Sequence, residues 1–438
     1  MTATEPATGP RESAPAARAL WGTLDAAANP LSLLVMLAGL VRTLGAADYG
    51  VLAIALAASG ITMAVNPALA ITTTKFVSEL GGQKGSERQT VAGVVTAALT
   101  AVMLIDFALI GCTALWREPL SNWVFGESIH FHGKATVLLL AMMAVGIQQI
   151  DAVMGAAIRG LERFRRQALI EVGMRVALAA VVTIVAWRTG SVPAILAAQS
   201  VVYGVFMLLR VFSLRALLPQ RRLLVSSSRH QIFSLLRYGS WMWLSAIAGA
   251  TYTSGDRIIV GRVLGAAAAG EYSIYVQLTQ IIHFVPSSLF AFSLPAFSRL
   301  STGDAAHVEI GRADRSYFLG ICASALGLTF ALIACWPYVL RIFVATNLPA
   351  GGPSIAVLLL AANFLLLSVT AVPYYLLLAL GKSRLVSLTT SGWMCVSLLL
   401  MVVLIPRYGL AGAAAARLAY GLGTVSFIAR AHRLLNSP

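Results

Sequence analysis

Apolar residues in this chain fall into long runs that short polar stretches separate. A helix needs about 20 apolar residues to cross ~30 Å of hydrocarbon, and the runs have that length. The pattern therefore predicts an all-α integral membrane protein with twelve transmembrane helices. We place them at residues 18–41, 50–76, 91–115, 135–158, 168–187, 191–214, 234–256, 270–297, 316–339, 354–380, 386–405 and 410–429.

The composition agrees with a membrane protein, since 58% of the residues are hydrophobic and 11% are charged. A soluble domain carries about a quarter charged residues. Residues 1–17 have little to bury, and we predict a disordered cytoplasmic tail there. The four cysteines lack CxxC spacing, and the pair His130 and His132 is too small for a metal site. No metal or other cofactor is predicted.

The net charge of +15 is compatible with nucleic-acid binding or with a topological signal. With the N-terminus inside, 22 of the 32 Lys and Arg residues, Arg210 among them, fall on the cytoplasmic side. Eight fall outside. This bias follows the positive-inside rule, so we predict cytoplasmic termini and no nucleic-acid partner.

Two segments of the chain resemble each other. Residues 42–50 read RTLGAADYG and residues 262–270 read RVLGAAAAG, an offset of 220 in a chain of 438. Six spans separate the copies, so both halves have the same orientation in the membrane. We predict an N-terminal lobe at 18–214, a cytoplasmic linker at 215–233 and a C-terminal lobe at 234–431. Parallel repeats with a cavity at their interface are typical of alternating-access transporters.

Four segments carry a resemblance to a known family. They read DRIIVGRVLGAAAAGEYSIYVQL, VRTLGAADYGVLAIA, FSLPAFSRL and ALGKSRLVSLTTSGWMCVSLLLMVVLIPRYGLAGAAAARLAYG. Together they resemble the polysaccharide-exporting flippases of the MOP superfamily over essentially the whole chain. The resemblance implies a V-shaped bundle of two parallel six-helix lobes, with spans one, two, seven and eight around a central cavity.

The resemblance also implies a function. The substrate would be an undecaprenyl-diphosphate-linked oligosaccharide, moved from the inner to the outer leaflet of a bacterial inner membrane. Partners would be this lipid-linked substrate, membrane lipids, and polysaccharide polymerase and export proteins. Lipid II flippases of the superfamily usually have fourteen spans, so twelve spans argue against that branch.

Polar residues inside the first two spans are candidates for substrate binding, because such residues usually face a partner or a wet cavity. Asp25 and Asn29 are four residues apart and share one helical face, directly before Pro30. The alternative is an ordinary polar helix start. Asn66 precedes Pro67, which predicts a bend in span two that matches one at Pro286 in span eight.

Span eight and the span ends supply the other candidates. Gln277, Gln280 and His283 are spaced by three residues and form a stripe, either for sugar hydroxyls or for helix-to-helix hydrogen bonds. Charged residues at the outer ends of spans one and seven are Arg42, Asp256, Arg257 and Arg262. The arginines are candidates for the diphosphate, because a guanidinium can bind it with two parallel hydrogen bonds. The alternative is that the arginines only reach the lipid head groups and that Asp256 neutralises Arg257.

Other charges inside spans have structural interpretations. Glu171 and Arg175 are four residues apart, which predicts an ion pair. Asp106 has no obvious partner in the sequence, and Arg417 lies inside span twelve.

Three other functions would each leave a different pattern in the sequence. A multidrug extruder of the same superfamily would favour buried carboxylates and aromatic residues around cationic cargo. A major-facilitator carrier would show a Gly, Asp-Arg and Arg-Arg pattern, which SELGGQKGSERQ lacks. A membrane oligosaccharide polymerase or ligase would need a sizeable outer loop, and the longest here has about 19 residues. We therefore expect a transporter that is not an enzyme.

Overall fold

The computed structural model describes residues 15–63, 65–81, 88–126, 129, 131–218, 229–290, 297, 306–343 and 352–436. Side chains are described for 32–63, 69–74, 76–78, 91–126, 129, 131–218, 246–290, 297, 314–343 and 352–434. Every regular element in the described part is a helix. The helices are α1 (Pro15–Thr62), α2 (Val65–Gly81), α3 (Arg88–Leu115), α4 (Arg117–Phe125), α5 (Lys134–Gly160), α6 (Phe164–Thr189), α7 (Val192–Leu217), α8 (Arg229–Leu264), α9 (Ala266–Thr279), α10 (Ile281–Leu289), α11 (Ala306–Ala334), α12 (Trp336–Phe343), α13 (Ile355–Val369), α14 (Ala371–Ala379), α15 (Ser383–Thr424) and α16 (Ser426–Asn436).

These helices group into the twelve predicted passes. Eight continuous stretches of the described residues are long and apolar enough to cross a membrane. Two of them are double, because α1 bends at Gly45 and α15 bends at Gly409. The passes outside this set are the more polar span seven and the broken span eight. The prediction of an all-α membrane protein with two six-helix lobes is confirmed; residues 219–228 of the predicted linker lie outside the described part.

The two lobes meet along the helices that carry the repeated segments. In the first half, α1 packs on α6 and α5 packs on α7; in the second half, α8 and α13 both pack on α15. Between the halves, α1 contacts α8 and α9. The repeat extends to the backbone, since Gly45 has φ 73° and ψ 175° and Gly265 has φ 89° and ψ 175°. Only glycine adopts this region without strain, so both copies of the turn need a glycine at this position.

Spans two and eight are broken near their prolines, as the sequence predicts. Proline has no N–H to donate to the carbonyl four residues earlier. That residue is Met63 for Pro67, and α1 ends at Thr62. For Pro286 it is Ile282, just after the break between α9 and α10. The hydroxyl of Ser368 on α13 donates to the Ile282 carbonyl at 2.6 Å and replaces the lost bond.

A buried charge cluster holds the first half together. Arg210 forms ion pairs with Asp151 and Glu171, and Arg175 binds Glu171 at 2.8 Å, which confirms the predicted Glu171–Arg175 pair. Arg210, which the sequence-based charge count places on the cytoplasmic side, is 1% exposed, so its side chain is buried among the helices. The reason is that two carboxylates on neighbouring helices keep the guanidinium inside the protein. Asp106 also has a partner, since Gln149 donates to it at 2.9 Å.

Candidate substrate-binding cavity

A small cavity of about 70 Å³ lies between the two halves. Its walls come from spans one, two, seven and eight, the four that the family resemblance implied. Seven of its ten lining residues are aliphatic or methionine, and the other three carry polar groups. They are Leu33, Met36, Leu37, Leu40, Leu52, Ala53 and Leu56 with Tyr49, Arg257 and Gln277. The cavity therefore combines apolar walls with a small polar group.

Arg257 is the cation of this cavity. Its Nη1 donates to the Thr253 carbonyl at 3.3 Å, one turn earlier on α8. Its Nε is buried and has no hydrogen-bond partner. Among the described side chains, no carboxylate forms an ion pair with it. The guanidinium thus has donors to offer to an anion that enters the cavity.

Asp256 does not neutralise Arg257. Its carboxylate is fully buried and forms an ion pair with Arg417 of α15, and its other oxygen accepts from the backbone N–H of Arg257 at 2.8 Å. Successive side chains on a helix point about 100° apart, so adjacent residues can face different surroundings. The sequence-based alternative of a neutral Asp256–Arg257 pair is wrong for this reason.

Aromatic rings complete the surroundings of Arg417. Its guanidinium lies 4.5 Å from the Tyr252 ring centroid and 5.3 Å from that of Phe364. Tyr252 stacks on Tyr420 with centroids 3.8 Å apart, and its hydroxyl donates to Asn363 at 3.2 Å. Asp256 is therefore held in the core of the second half, apart from the cavity.

Tyr49 and Gln277 form the neutral polar part of the cavity. The Gln277 amide donates to the Tyr49 hydroxyl at 2.9 Å, which joins span eight to span two. Sequence reasoning selected Gln277 but missed Tyr49. The second copy of the repeat has Ala269 at this position, so the repeat gave no indication of a tyrosine. The signal that could have identified Tyr49 was its position in the AADYG segment, directly before span two.

The rest of the predicted stripe lies elsewhere. Gln280 follows the last residue of α9 and is half-buried, and neither it nor His283 lines the cavity. The His283 ring nitrogen Nδ1 hydrogen-bonds the hydroxyl of Ser287 on the same helix at 3.1 Å. The break after Thr279 interrupts the helical spacing that would have aligned the three side chains.

The remaining candidates fall in two groups. The side chains of Asp25, Asn29 and Asn66 lie outside the described residues. Arg42 and Arg262 are exposed at the predicted outer end of the lobes, where each binds backbone carbonyls of a short helix. Within the described ranges, no group of three or more His, Cys, Asp or Glu residues could hold a metal ion.

Helical passes in two like-oriented halves around a central cavity define a membrane transporter with the MOP-superfamily fold. The structure matches an inward-facing multidrug resistance MATE family transporter of that superfamily with a TM-score of 0.67, over 95% of this chain and 94% of that one at 11% identity. It matches the lipid II flippase MurJ, in an inward closed conformation, with a TM-score of 0.67 over 94% and 87% at 15% identity. At these identities the likeness establishes the fold alone.

Sequence similarity defines the family. Residues 20–301, more than half of the chain, match the family described as polysaccharide biosynthesis protein, and the chain belongs to that family. A Shigella flexneri protein provisionally assigned as an O-antigen transporter is 25% identical over 182 residues. That match spans 41% of this chain and 42% of the relative, which is less than half of either. The resemblance predicted from the four sequence segments is confirmed.

Proposed function

We propose that this protein flips undecaprenyl-diphosphate-linked oligosaccharide repeat units from the inner to the outer leaflet. The observation that carries the proposal is the Arg257 guanidinium, which lines the cavity between the halves and has no carboxylate partner among the described side chains. Membership in the polysaccharide biosynthesis family supports the class of cargo. The predicted orientation, with cytoplasmic termini in a bacterial inner membrane, sets the direction.

The cavity offers a group for each part of such a substrate. A diphosphate carries negative charge, and a guanidinium binds it with two parallel, charge-assisted hydrogen bonds. Sugar hydroxyls both donate and accept, as do the Gln277 amide and the Tyr49 hydroxyl. The leucine-rich wall of span one suits a hydrocarbon chain. A glycan of several sugars is much larger than a cavity of about 70 Å³, so the halves must separate to admit it.

The charge of the cavity argues against cationic cargo. Asp256, Asp151 and Glu171 are each bound by an arginine, and the buried Asp106, which Gln149 binds, does not line the cavity. The charged group left at the cavity is positive, and it would repel a cationic drug. This arrangement favours an anionic substrate over the multidrug alternative.

Reconstituted vesicles can test the proposal. The purified protein is placed in liposomes with a fluorescent undecaprenyl-diphosphate oligosaccharide, and a membrane-impermeant quencher reports which leaflet holds it. We expect transfer of the glycolipid and no uptake of a small cationic dye measured in parallel. Uptake of the dye alone would assign the protein to drug extrusion, and transfer of neither would contradict a flippase.

The remaining substrate contacts are proposals of the same kind. Asp25, Asn29, Asn66, Gln280 and His283 would contact the substrate in states where the halves are further apart. Membrane lipids and the polymerase and export proteins of the same polysaccharide are the proposed partners. Chemical cross-linking in the native membrane would identify the protein partners.

Replacing Tyr49 with phenylalanine tests the neutral polar group of the cavity. The variant leaves the Gln277 amide without its 2.9 Å partner, and we expect the half-saturating glycolipid concentration to rise about fivefold, as the loss of ~1 kcal/mol implies. The matched control is Tyr408→Phe, because Tyr408 is 64% exposed. Equal values for both variants would remove Tyr49 from the site.

A further inference from the structure

Two helices touch through their backbones at the predicted outer end of the cavity. They are the part of α1 after Gly45 and the start of α9, which are the two copies of the repeat. A Cβ added to Gly50 would lie 1.8 Å from the Ala266 carbonyl oxygen, and one added to Gly270 would lie 2.0 Å from that of Ala46. Neither position has room for a side chain. The contact closes this end of the interface between the halves.

Two arginines flank the glycine contact, and each reaches into the opposite half. Arg42 donates to the carbonyl of Arg341 at 3.3 Å and to that of Ile342, in the last turn of α12. Arg262 donates to the Trp123 carbonyl at 2.6 Å in the last turn of α4, and its guanidinium lies 5.5 Å from the Trp123 ring centroid. The C-terminus of a helix carries partial negative charge and unpaired carbonyls, which a cation satisfies.

The two contacts are related by the internal repeat. Arg42 and Arg262 are 220 residues apart, as are Gly50 and Gly270. The short helices α4 and α12 begin at Arg117 and Trp336, which is nearly the same offset. Arg42 of the first half therefore contacts α12 of the second half, and Arg262 of the second half contacts α4 of the first half in the equivalent way.

We propose that these four residues form a two-part outer gate, in which the Gly50–Gly270 contact seals the interface and the two arginine contacts hold it closed. Both arginine contacts join different halves, so they must break when the halves separate at this end. The gate sets the balance between closed and open states of the protein. This inference goes beyond the proposed function, because the gate contacts contain no substrate group.

Distances between two spin labels can test the gate without any substrate. Labels are attached to cysteines introduced at Glu118 on α4 and Tyr338 on α12, which are both exposed. The four native cysteines are first replaced by alanine. We measure the distance distribution by pulsed electron paramagnetic resonance in lipid nanodiscs, for the parent protein, for Gly50→Ala, for Gly270→Ala and for the double variant Arg42→Ala with Arg262→Ala.

Each variant should increase the long-distance population. Loss of the charged hydrogen bonds in the arginine double variant is expected to raise the open-to-closed ratio about tenfold or more. The glycine variants should do the same, since a methyl group cannot coexist with the opposing carbonyl. The matched controls are Gly249→Ala, where the added Cβ meets nothing within 4 Å, and Arg188→Ala at an exposed arginine beside Trp187.

The result that overturns the gate is a double arginine variant with the distance distribution of the parent. Arg42 and Arg262 are exposed, so this variant is expected to fold even where a glycine variant does not, and it decides the question alone. Controls that open the protein as strongly as the gate variants would also contradict it. Failure of glycolipid transport leaves this measurement unaffected, which separates the gate from the proposed function.

Discussion

Replacing Arg257 with glutamine is expected to lower glycolipid transport about 30-fold or more. Truncating one member of a buried, hydrogen-bonded charge pair costs about 2–5 kcal/mol, and each ~1.4 kcal/mol is a factor of ten. The diphosphate would lose its cation in a cavity whose walls are otherwise largely apolar. Initial transfer rates in the vesicle assay, normalised to the amount of inserted protein, measure the effect.

Folding is not expected to confuse this result. No described carboxylate depends on Arg257 for its charge balance, so the glutamine variant leaves no buried acid uncompensated. Arg257→Lys keeps the charge but loses the paired hydrogen bonds, and it should transport at an intermediate rate. The control is Arg188→Gln, since Arg188 lies beside the exposed Trp187. Transport by Arg257→Gln at the parent rate would remove the residue from the site.

Replacing Arg417 with methionine is expected to lower the free energy of unfolding by about 3–5 kcal/mol. The change leaves Asp256 charged and buried without its cation, which is the costly way to break a buried ion pair. Arg417 and Asp256 are 2% and 0% exposed, so water cannot replace the lost partner. Denaturant or thermal unfolding in a fixed detergent measures the difference.

A double variant separates the ion pair from general packing. Asp256→Leu combined with Arg417→Met removes both charges, and it should recover most of the stability that the single variant loses. The exposed pair of Arg117 and Glu118, whose side chains are 66% and 69% exposed, supplies the control. Arg117→Met should cost less than ~1 kcal/mol. Equal losses for Arg417→Met and Arg117→Met would contradict the assigned role of the buried pair.

The sequence predicts the elements and the repeat well because both depend on local patterns. Hydrophobic run length indicates the spans, and the 220-residue offset indicates that Gly45 and Gly265 occupy equivalent turns. Proline predicts the breaks at Met63 and Thr279, since it removes one specific hydrogen bond. These properties depend on residues that are close together in the chain or related by a fixed offset.

Partner choice among buried charges that are far apart in the sequence could not be predicted. Asp256 and Arg257 are adjacent in sequence, but the carboxylate pairs with Arg417, 161 residues away. Only the packing of α8 on α15 brings that pair together. Tyr49 was missed for a similar reason, because its partner Gln277 is 228 residues away across the interface.

The hydrogen bond from Ser368 to the Ile282 carbonyl has a mechanical consequence. This bond ties span eight to α13 just after the break, so we expect the two to move together when the halves separate. Gln277 lies on the cavity side of that break, whereas Tyr49 belongs to the other half. Separation of the two halves must therefore lengthen the hydrogen bond between Gln277 and Tyr49.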